Sequence, residues 1–479
     1  MNERACHLPG LDPNALNWET LYFDRMNRNI SIDVPILSDL NIHSLAKHIR
    51  AHACDYLAKI SVNQIVDVID QAIERLLDRN DPYRCLMEEF LPAITGYDRE
   101  MIRLGLTEYL KSFRRPELQK FLSEDFPNPE ILDDFQPLTK GGYGQAFGPE
   151  VCAHIWAGNV PGLPLWSLVS GLLTKSGTIG KVASAEPMFA TWFVKLLTEI
   201  DPKLGDCIAI VWWRGGNHTL ETTLFEDADV VLAYGDNETL SKLQSQVPVS
   251  TRFLAHGHKV SFGMVGREAL DAAKATETAR LAAYDVARYD QQGCYSPHVN
   301  FVETGGVISP RTFAQYFAQE ISSFESKFPR RPLGISEASS VAAWRHSEEL
   351  ASGAEVLGDV DGTWSVSYYE GQDGFRPSAL NRTIRVVAID DLTSVPGRVA
   401  PYKRLLQTVG IATSPRRLIS LSKALGAVGV TRITALGKMS MPEAGWHHDG
   451  RYNLSDLVRI VEIEKQAFDV ADRLAAYAD

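Results

Sequence analysis

Apolar positions recur at helical spacing through most of the first 135 residues, clearly from His43 to Leu77 and again from Glu100 to Phe113. Asp81-Pro82 and Gly96-Tyr97 break this pattern and predict boundaries between helices. From about residue 150 the period changes, and short apolar runs alternate with helical ones. Val151–Trp156, Cys207–Trp213, Asp229–Tyr234 and Val260–Val265 predict strands, with helices over Met188–Ile200 and Thr239–Gln246. A long Ala-rich helix is expected from about Glu268 to Tyr289, then a strand over His298–Glu303. Further strands are predicted near Trp364–Tyr369, Ile384–Ile389 and Arg432–Leu436. A final helix is expected after Asn453, which would cap it with Asp456 at the third helical position. Alternating strands and helices of this kind define an α/β class with largely parallel sheets. The expected divisions are a helical region over 1–135, α/β domains over 136–266 and 267–438, and a C-terminal segment over 439–479 that packs back on the core.

Composition narrows the partners. The chain has 479 residues and a net charge of −12, with no basic stripe, which argues against nucleic acid. The longest uncharged stretch, Ile155–Thr174, has the length of a membrane span. It contains Gly158, Asn159, Pro161, Gly162, Pro164 and Gly171, so it reads as a loop leading into a buried helix. No secretory signal is visible. The six cysteines are scattered without a Cys-x-x-Cys pair, which fits a reducing cytoplasm.

One cysteine stands in a distinctive place. Cys294 lies between a predicted helix and a predicted strand, with Gly293 before it and Pro297 after it. A thiol at such a junction can face a cleft and form thioesters. Other motifs carry less. Gly177-Thr178-Ile179-Gly180-Lys181 lacks the spacing of a phosphate loop, and no Gly-x-Ser-x-Gly elbow exists. Cys152 and His154 share one face of a predicted strand and read as core. His447-His448-Asp449 lacks a third spaced ligand, so no metal is expected.

Gln292-Gly293-Cys294 resembles the Gly-Gln-x-Cys loop of aldehyde dehydrogenases. The longer string DQQGCYSPH, Asp290 to His298, is similar to that of LuxC-type fatty-acid reductases, the acyl-CoA reductases of bacterial bioluminescence. AGNVPGLPLWSLVSGLLTKSGTIGKVASAEP (Ala157 to Pro187) and GWHHDGRYNLSDLV (Gly445 to Val458) agree in the same order. The resemblance implies an aldehyde-dehydrogenase-like fold of two Rossmann-like domains, with NADP bound by 136–266 and the nucleophile carried by 267–438. It implies NADPH-dependent reduction of a fatty acyl-CoA to the aldehyde through a Cys294 thioester. An acyl-protein synthetase partner and a homo-oligomer are implied too.

The same resemblance assigns roles. Asn159 and the Cys294 amide would hold the oxyanion. Lys181 would bind the adenosine ribose, and Ser184 stands where NAD-preferring relatives often carry Glu, which favours NADPH. Ala233-Tyr234-Gly235-Asp236 would open a helix toward the pyrophosphate, although Asp236 replaces the usual Ser and suits a cap of that helix as well. In FLAHGHKVSF, Phe253 to Phe262, Ala255 falls where hydrolytic members carry their catalytic Glu. Without that base the acyl-enzyme would resist hydrolysis, with His256 or His258 left as acid–base groups. The Glu-x-Phe-Gly-Pro motif has no clear match, its region being Ser378 to Val386. Alternatives are another CoA-acylating or acyl-phosphate dehydrogenase of the same fold, and a non-catalytic acyl-carrier subunit.

Overall fold

Strands buried on both faces need helices on both sides, and two such sheets organise the chain. In a computed structural model describing residues 2–26, 28–371 and 374–475, the first sheet contains β1 (Val151–Ile155), β2 (Gly177–Lys181), β3 (Ile208–Val211), β4 (Val230–Tyr234) and β5 (Arg252–His256). All are parallel, in the order β5-β4-β1-β2-β3. The strand order reverses direction between β1 and β4, and clefts in doubly wound sheets open at the carboxyl ends of such strands.

The second sheet contains β6 (Val260–Val265), β7 (Pro297–Glu303), β8 (Ala354–Gly358), β9 (Ser365–Glu370), β10 (Thr383–Ile389), β11 (Leu406–Ala412) and β12 (Arg432–Ala435). Its order is β8-β9-β10-β7-β6-β11-β12, with only the β8–β9 pair antiparallel. The fold is the expected mixed α/β architecture with two parallel sheets. The expected boundary at 266 is corrected, however. Strand β6 lies between β7 and β11 in the second sheet, so the chain passes between sheets in the few residues after His256. The edge strand β5, short and half-exposed, was not legible as a strand, and so the expected boundary falls late.

The N-terminal region is not purely helical. Asn2–Arg4, Asn17–Arg25 and Arg28–Ile36 form a three-stranded sheet. Five α-helices follow: Asp39–His52, Val62–Leu77, Pro82–Thr95, Arg99–Lys111 and Arg115–Asp125. The expected run from His43 to Leu77 splits at Ser61, whose side chain forms a capping box with Gln64. Asp81 caps the next helix with Pro82 in its first turn, and Gly96 ends it at φ 82°, as the two predicted breaks require. These helices share one core with the first α/β unit: Ile65, Ile69 and Leu106 pack in the same cluster as Leu168 and Phe193.

Two further expectations are corrected. The helix from Glu268 to Tyr289 is shorter, Ala275–Ala287, because the Asp271 side chain accepts from the Ala273 and Lys274 amides and holds a turn before it. No helix begins after Asn453, whose side-chain amide instead donates to the Trp446 carbonyl. The chain continues into a strand, Arg459–Ile463, paired antiparallel with Tyr143–Phe147, and only then into the helix Lys465–Leu474. The C-terminal segment thus packs back as part of a small sheet. Among the described residues no helix is long and apolar enough to cross a membrane.

Candidate active site

The cysteine loop is built from backbone that most residues avoid. After the helix Ala275–Ala287, Tyr289, Asp290 and Gln291 all take left-handed conformations, at φ 48°, 49° and 66°. Leu380, Asn381 and Arg382 do the same, at φ 59°, 53° and 65°. Left-handed residues other than Gly cost roughly 1–2 kcal/mol each, and such strain persists only where surroundings over-determine it. Here the two turns interlock. Arg382 Nε donates to Asp290 Oδ1 at 2.9 Å, and the Asn381 amide donates to the Asp290 carbonyl at 3.1 Å. Gln291 Nε2 donates to the Thr383 carbonyl at 3.0 Å while its Oε1 accepts from the Thr383 amide at 3.1 Å. Gln292 Nε2 donates to Asn381 Oδ1 at 2.9 Å. Gly293 is required next, because a Cβ there would lie 2.3 Å from the Tyr295 ring.

Cys294 follows, half-buried, its carbonyl accepting from Ser261 Oγ at 2.8 Å. It lines a cavity of about 350 Å³ with Asn159, Tyr109, His256, His258 and Trp446. Burial, and then the nearby Asp449 carboxylate, push its thiol up to about 11. The resting thiol is therefore protonated, and a nucleophilic role requires a base.

Asn159 follows β1 at the mouth of the cleft. Its Nδ2 donates to the Gln292 carbonyl at 2.8 Å, and its own carbonyl accepts from Tyr97 Oη at 2.7 Å. The side-chain amide has a second N–H for an oxyanion. His256 ends β5. Its Nδ1 bonds Asp449 Oδ2 at 3.1 Å, and Tyr234 and His448 stack on its ring at 4.8 and 4.1 Å. His258 is exposed at the rim, its backbone N–H donating to Asn237 Oδ1 at 3.3 Å.

The placement of Ala255 needs correction. Side chains alternate along a strand, and on β5 the cleft face carries His256, whereas Ala255 is exposed and outside the cavity lining. His256, not Ala255, faces the thiol's cleft. No glutamate is among the described residues that line it.

The expectation that His447-His448-Asp449 has no third partner is also corrected, since β5 brings His256 to it. Ligand-type atoms of His256, His448 and Asp449 lie within 4.8 Å of one another. The two rings stack nearly parallel, at 12°, so their in-plane lone pairs run side by side and do not converge on one ion. Both Asp449 oxygens are already accepting, one from His256 and the other from Gln407 Nε2 at 2.7 Å. The cluster is a hydrogen-bonded relay. Gln407 and Tyr97 were not found by sequence reasoning, and Asp449 was singled out without its partner His256, because each lies far along the chain from the residue it serves.

Of the nucleotide candidates, Gly235 and Asp236 line the same cavity at the end of β4. Asp236 caps the helix Asn237–Gln244, its Oδ1 accepting from the Thr239 amide at 2.7 Å. A carboxylate at that helix end opposes a phosphate at the same point. Lys181 and Ser184 lie outside the cleft, at and beyond the end of β2. Lys181 is buried, which lowers its pKa, with Glu221 opposing. Ser184 is exposed and accepts from Trp212 Nε1 at 3.1 Å. The carboxyl ends of β1 and β4 thus open on the cysteine cleft at the switch point, where a dinucleotide site is expected in such sheets. Cys152 and His154 are fully buried core residues of β1.

Solved structures similar to this chain show the class of fold. Aldehyde dehydrogenase 21 from Physcomitrella patens matches with a TM-score of 0.74 at 13% identity, covering 97% of this chain and 99% of that one. An NAD-dependent benzaldehyde dehydrogenase from Corynebacterium glutamicum matches with a TM-score of 0.71 at 13% identity, covering 96% and 98%. The fold is that of the aldehyde dehydrogenases. Within that class, residues 57–460 match the family described as acyl-CoA reductase (LuxC), and the chain belongs to it. Relatives named long-chain acyl-protein thioester reductase include one from Aliivibrio fischeri, 26% identical over 416 residues, covering 85% of this chain and 83% of the relative. Another, from Vibrio harveyi, is 23% identical over 469 residues, covering 96% and 93%.

Proposed function

We propose that the protein reduces a fatty acyl thioester to the aldehyde with NADPH, carrying the acyl group on Cys294. The single observation that carries this reading is the cleft itself. A strained, clamped cysteine loop presents a thiol beside an amide donor and a histidine, with no glutamate among the lining residues to activate water.

In the acylation step the Cys294 proton passes to His256 as the sulfur attacks the thioester carbonyl. Asn159 Nδ2 and the Cys294 amide stabilise the oxyanion. The C–S bond to CoA breaks, and His256 returns the proton to the departing thiolate. When bound, the reduced nicotinamide supplies the hydride that converts the Cys294 thioester to a thiohemiacetal. That adduct collapses to free aldehyde as the Cys294 sulfur leaves and regains its proton. The balance is acyl-CoA + NADPH + H⁺ giving aldehyde + CoA + NADP⁺. Gly235 and the ends of β1 and β4 suit the pyrophosphate half of the cofactor, and Lys181 and Ser184 its adenosine ribose, where no acidic side chain at Ser184 repels a 2′-phosphate.

The names of the relatives raise a second acyl source, a protein-bound thioester delivered by an acyl-protein synthetase partner. Intact-protein mass spectrometry after mixing with tetradecanoyl-CoA separates the two. An adduct on Cys294 that disappears on adding NADPH, with aldehyde released, is the expected result. An adduct formed only with an acylated partner would move the acyl source to that partner. No adduct from either source would overturn the proposal.

A further inference from the structure

We infer that Asp449 is a positioning residue that fixes the His256 imidazole in the tautomer able to accept the Cys294 proton, and that Gln407 in turn fixes Asp449. This rests on His256 being the acid–base group and names what makes it one.

The argument runs through hydrogen-bond inventory. Asp449 Oδ2 faces His256 Nδ1 at 3.1 Å, and Asp449 Oδ1 accepts from Gln407 Nε2 at 2.7 Å. Burial alone would raise the Asp449 carboxyl. The hydrogen bond from His256, the neighbouring His448 and His256 imidazoles, and the Gln407 bond outweigh it and hold the group well below the usual carboxylate range. An ionised carboxylate can only accept. The proton on the neutral His256 ring must therefore sit on Nδ1, which leaves the Nε2 lone pair free on a ring that lines the cleft with Cys294.

Orientation is fixed as well as tautomer. His448 and Tyr234 stack on His256, and Trp446 packs on His448 at 4.6 Å. Burial, and then His256, lower His448 to about 3, so His448 stays neutral and does not compete as a base near neutral pH. Asp449 has left-handed backbone, φ 55°, a conformation in which Asp and Asn are the favoured non-glycine residues. Gln407 is fully buried on β11 and opposes the upward push on the Cys294 thiol, so it acts near both ends of the relay. Other charged or titratable groups acting on these residues include Lys259, on His448, Arg432 and Tyr295, on Cys294, and Tyr234, on Asp449 and Cys294. None of these makes the carboxylate–imidazole contact.

The test measures the rate of Cys294 acylation in the full-length enzyme without reductant, by quenched intact-protein mass spectrometry across about pH 5 to 9. Tetradecanoyl-CoA and p-nitrophenyl tetradecanoate serve as donors, the second being independent of CoA and of any partner. Asp449→Asn should lower the acylation rate with both donors by on the order of 10²–10⁴-fold and alter its pH profile. Asn keeps the left-handed backbone, and a thermal melt checks folding. Asp449→Ser carries the same expectation should the amide variant fail to fold. A rate lost in His256→Gln but unchanged in Asp449→Asn overturns this inference alone, as does a uniform fall in Asp449→Asn with the pH profile unchanged. A rate that survives His256→Gln overturns the role of His256 and this inference with it.

Discussion

A thiol pushed up to about 11 is a poor nucleophile near neutral pH until a base draws off its proton. Burial and the Asp449 charge thus store Cys294 in a safe form. Cys294→Ser should remove both the acyl adduct and aldehyde formation, since an alcohol in that place is far less acidic; mass spectrometry and aldehyde assay report it, and normal turnover would end the thioester reading. Asn159→Ala should lower kcat by roughly a hundred- to a thousand-fold with a smaller change in KM, the pattern of a lost transition-state donor. Steady-state kinetics decide that, and a pure KM effect would reassign Asn159 to ground-state binding. Cys294 and Asn159 were legible because each sits inside a contiguous motif. His256 and His258 were both legible as acid–base candidates. What the sequence did not show is that β5 turns His256 into the cleft and Ala255 out of it, since a one-residue slip on a strand changes the face.

Elements carry the next level of argument. The turns at 289–291 and 380–382 hold one another in a conformation that neither would adopt alone. Asp290 and Arg382 are both almost fully buried, and their ion pair is the clamp. Removing one partner of such a pair typically costs 3–5 kcal/mol. Arg382→Met should therefore lower stability by about that amount in urea denaturation. A loss under about 1 kcal/mol would show that the side-chain amides of Gln291 and Gln292 suffice. Hydrophobic periodicity found the buried strands β1, β3, β4, β6 and β7 because each is a short apolar run between turn residues. It missed β5 and the final strand Arg459–Ile463, short half-exposed strands that begin on an arginine and follow their pairing partners more than any pattern of their own. It also ran the helix before Cys294 too far, since Ala-rich sequence does not reveal an Asp271 turn at its start or left-handed backbone at its end.

At the scale of the molecule, Lys181 and Ser184 lie at and beyond the end of β2, across β1 from β4 and β5. Ser184 is exposed and free to carry a larger side chain. Ser184→Glu should raise KM for NADPH more than for NADH; equal changes would refute the selectivity argument. The second sheet has its own electrostatic anchor. Glu303, at the end of β7, is buried and accepts from Arg417, Arg267 and the Leu392 amide. Burial opposes its charge, but those bonds outweigh it and depress its pKa far below the ordinary range. A depressed folded pKa gives stability that is complete above the unfolded value, near 4.3, and lost as pH falls through it toward the folded one. Melting temperature should drop below about pH 5, and Glu303→Gln should lower it at neutral pH and flatten that acid limb. An unchanged acid limb would place the sensitivity elsewhere.

The interlocked turns also impose an order on biosynthesis. Asp290 and Arg382 are 92 residues apart, and a ribosome adds roughly 5–20 residues per second. Cys294 is therefore made several seconds before the segment that shapes its loop. During that interval Cys294 sits in unconstrained chain, without its cleft or its relay. The nascent enzyme cannot take up an acyl group in the proposed manner until β10 has been made and docked, so the reactive centre is among the last parts of the molecule to become competent.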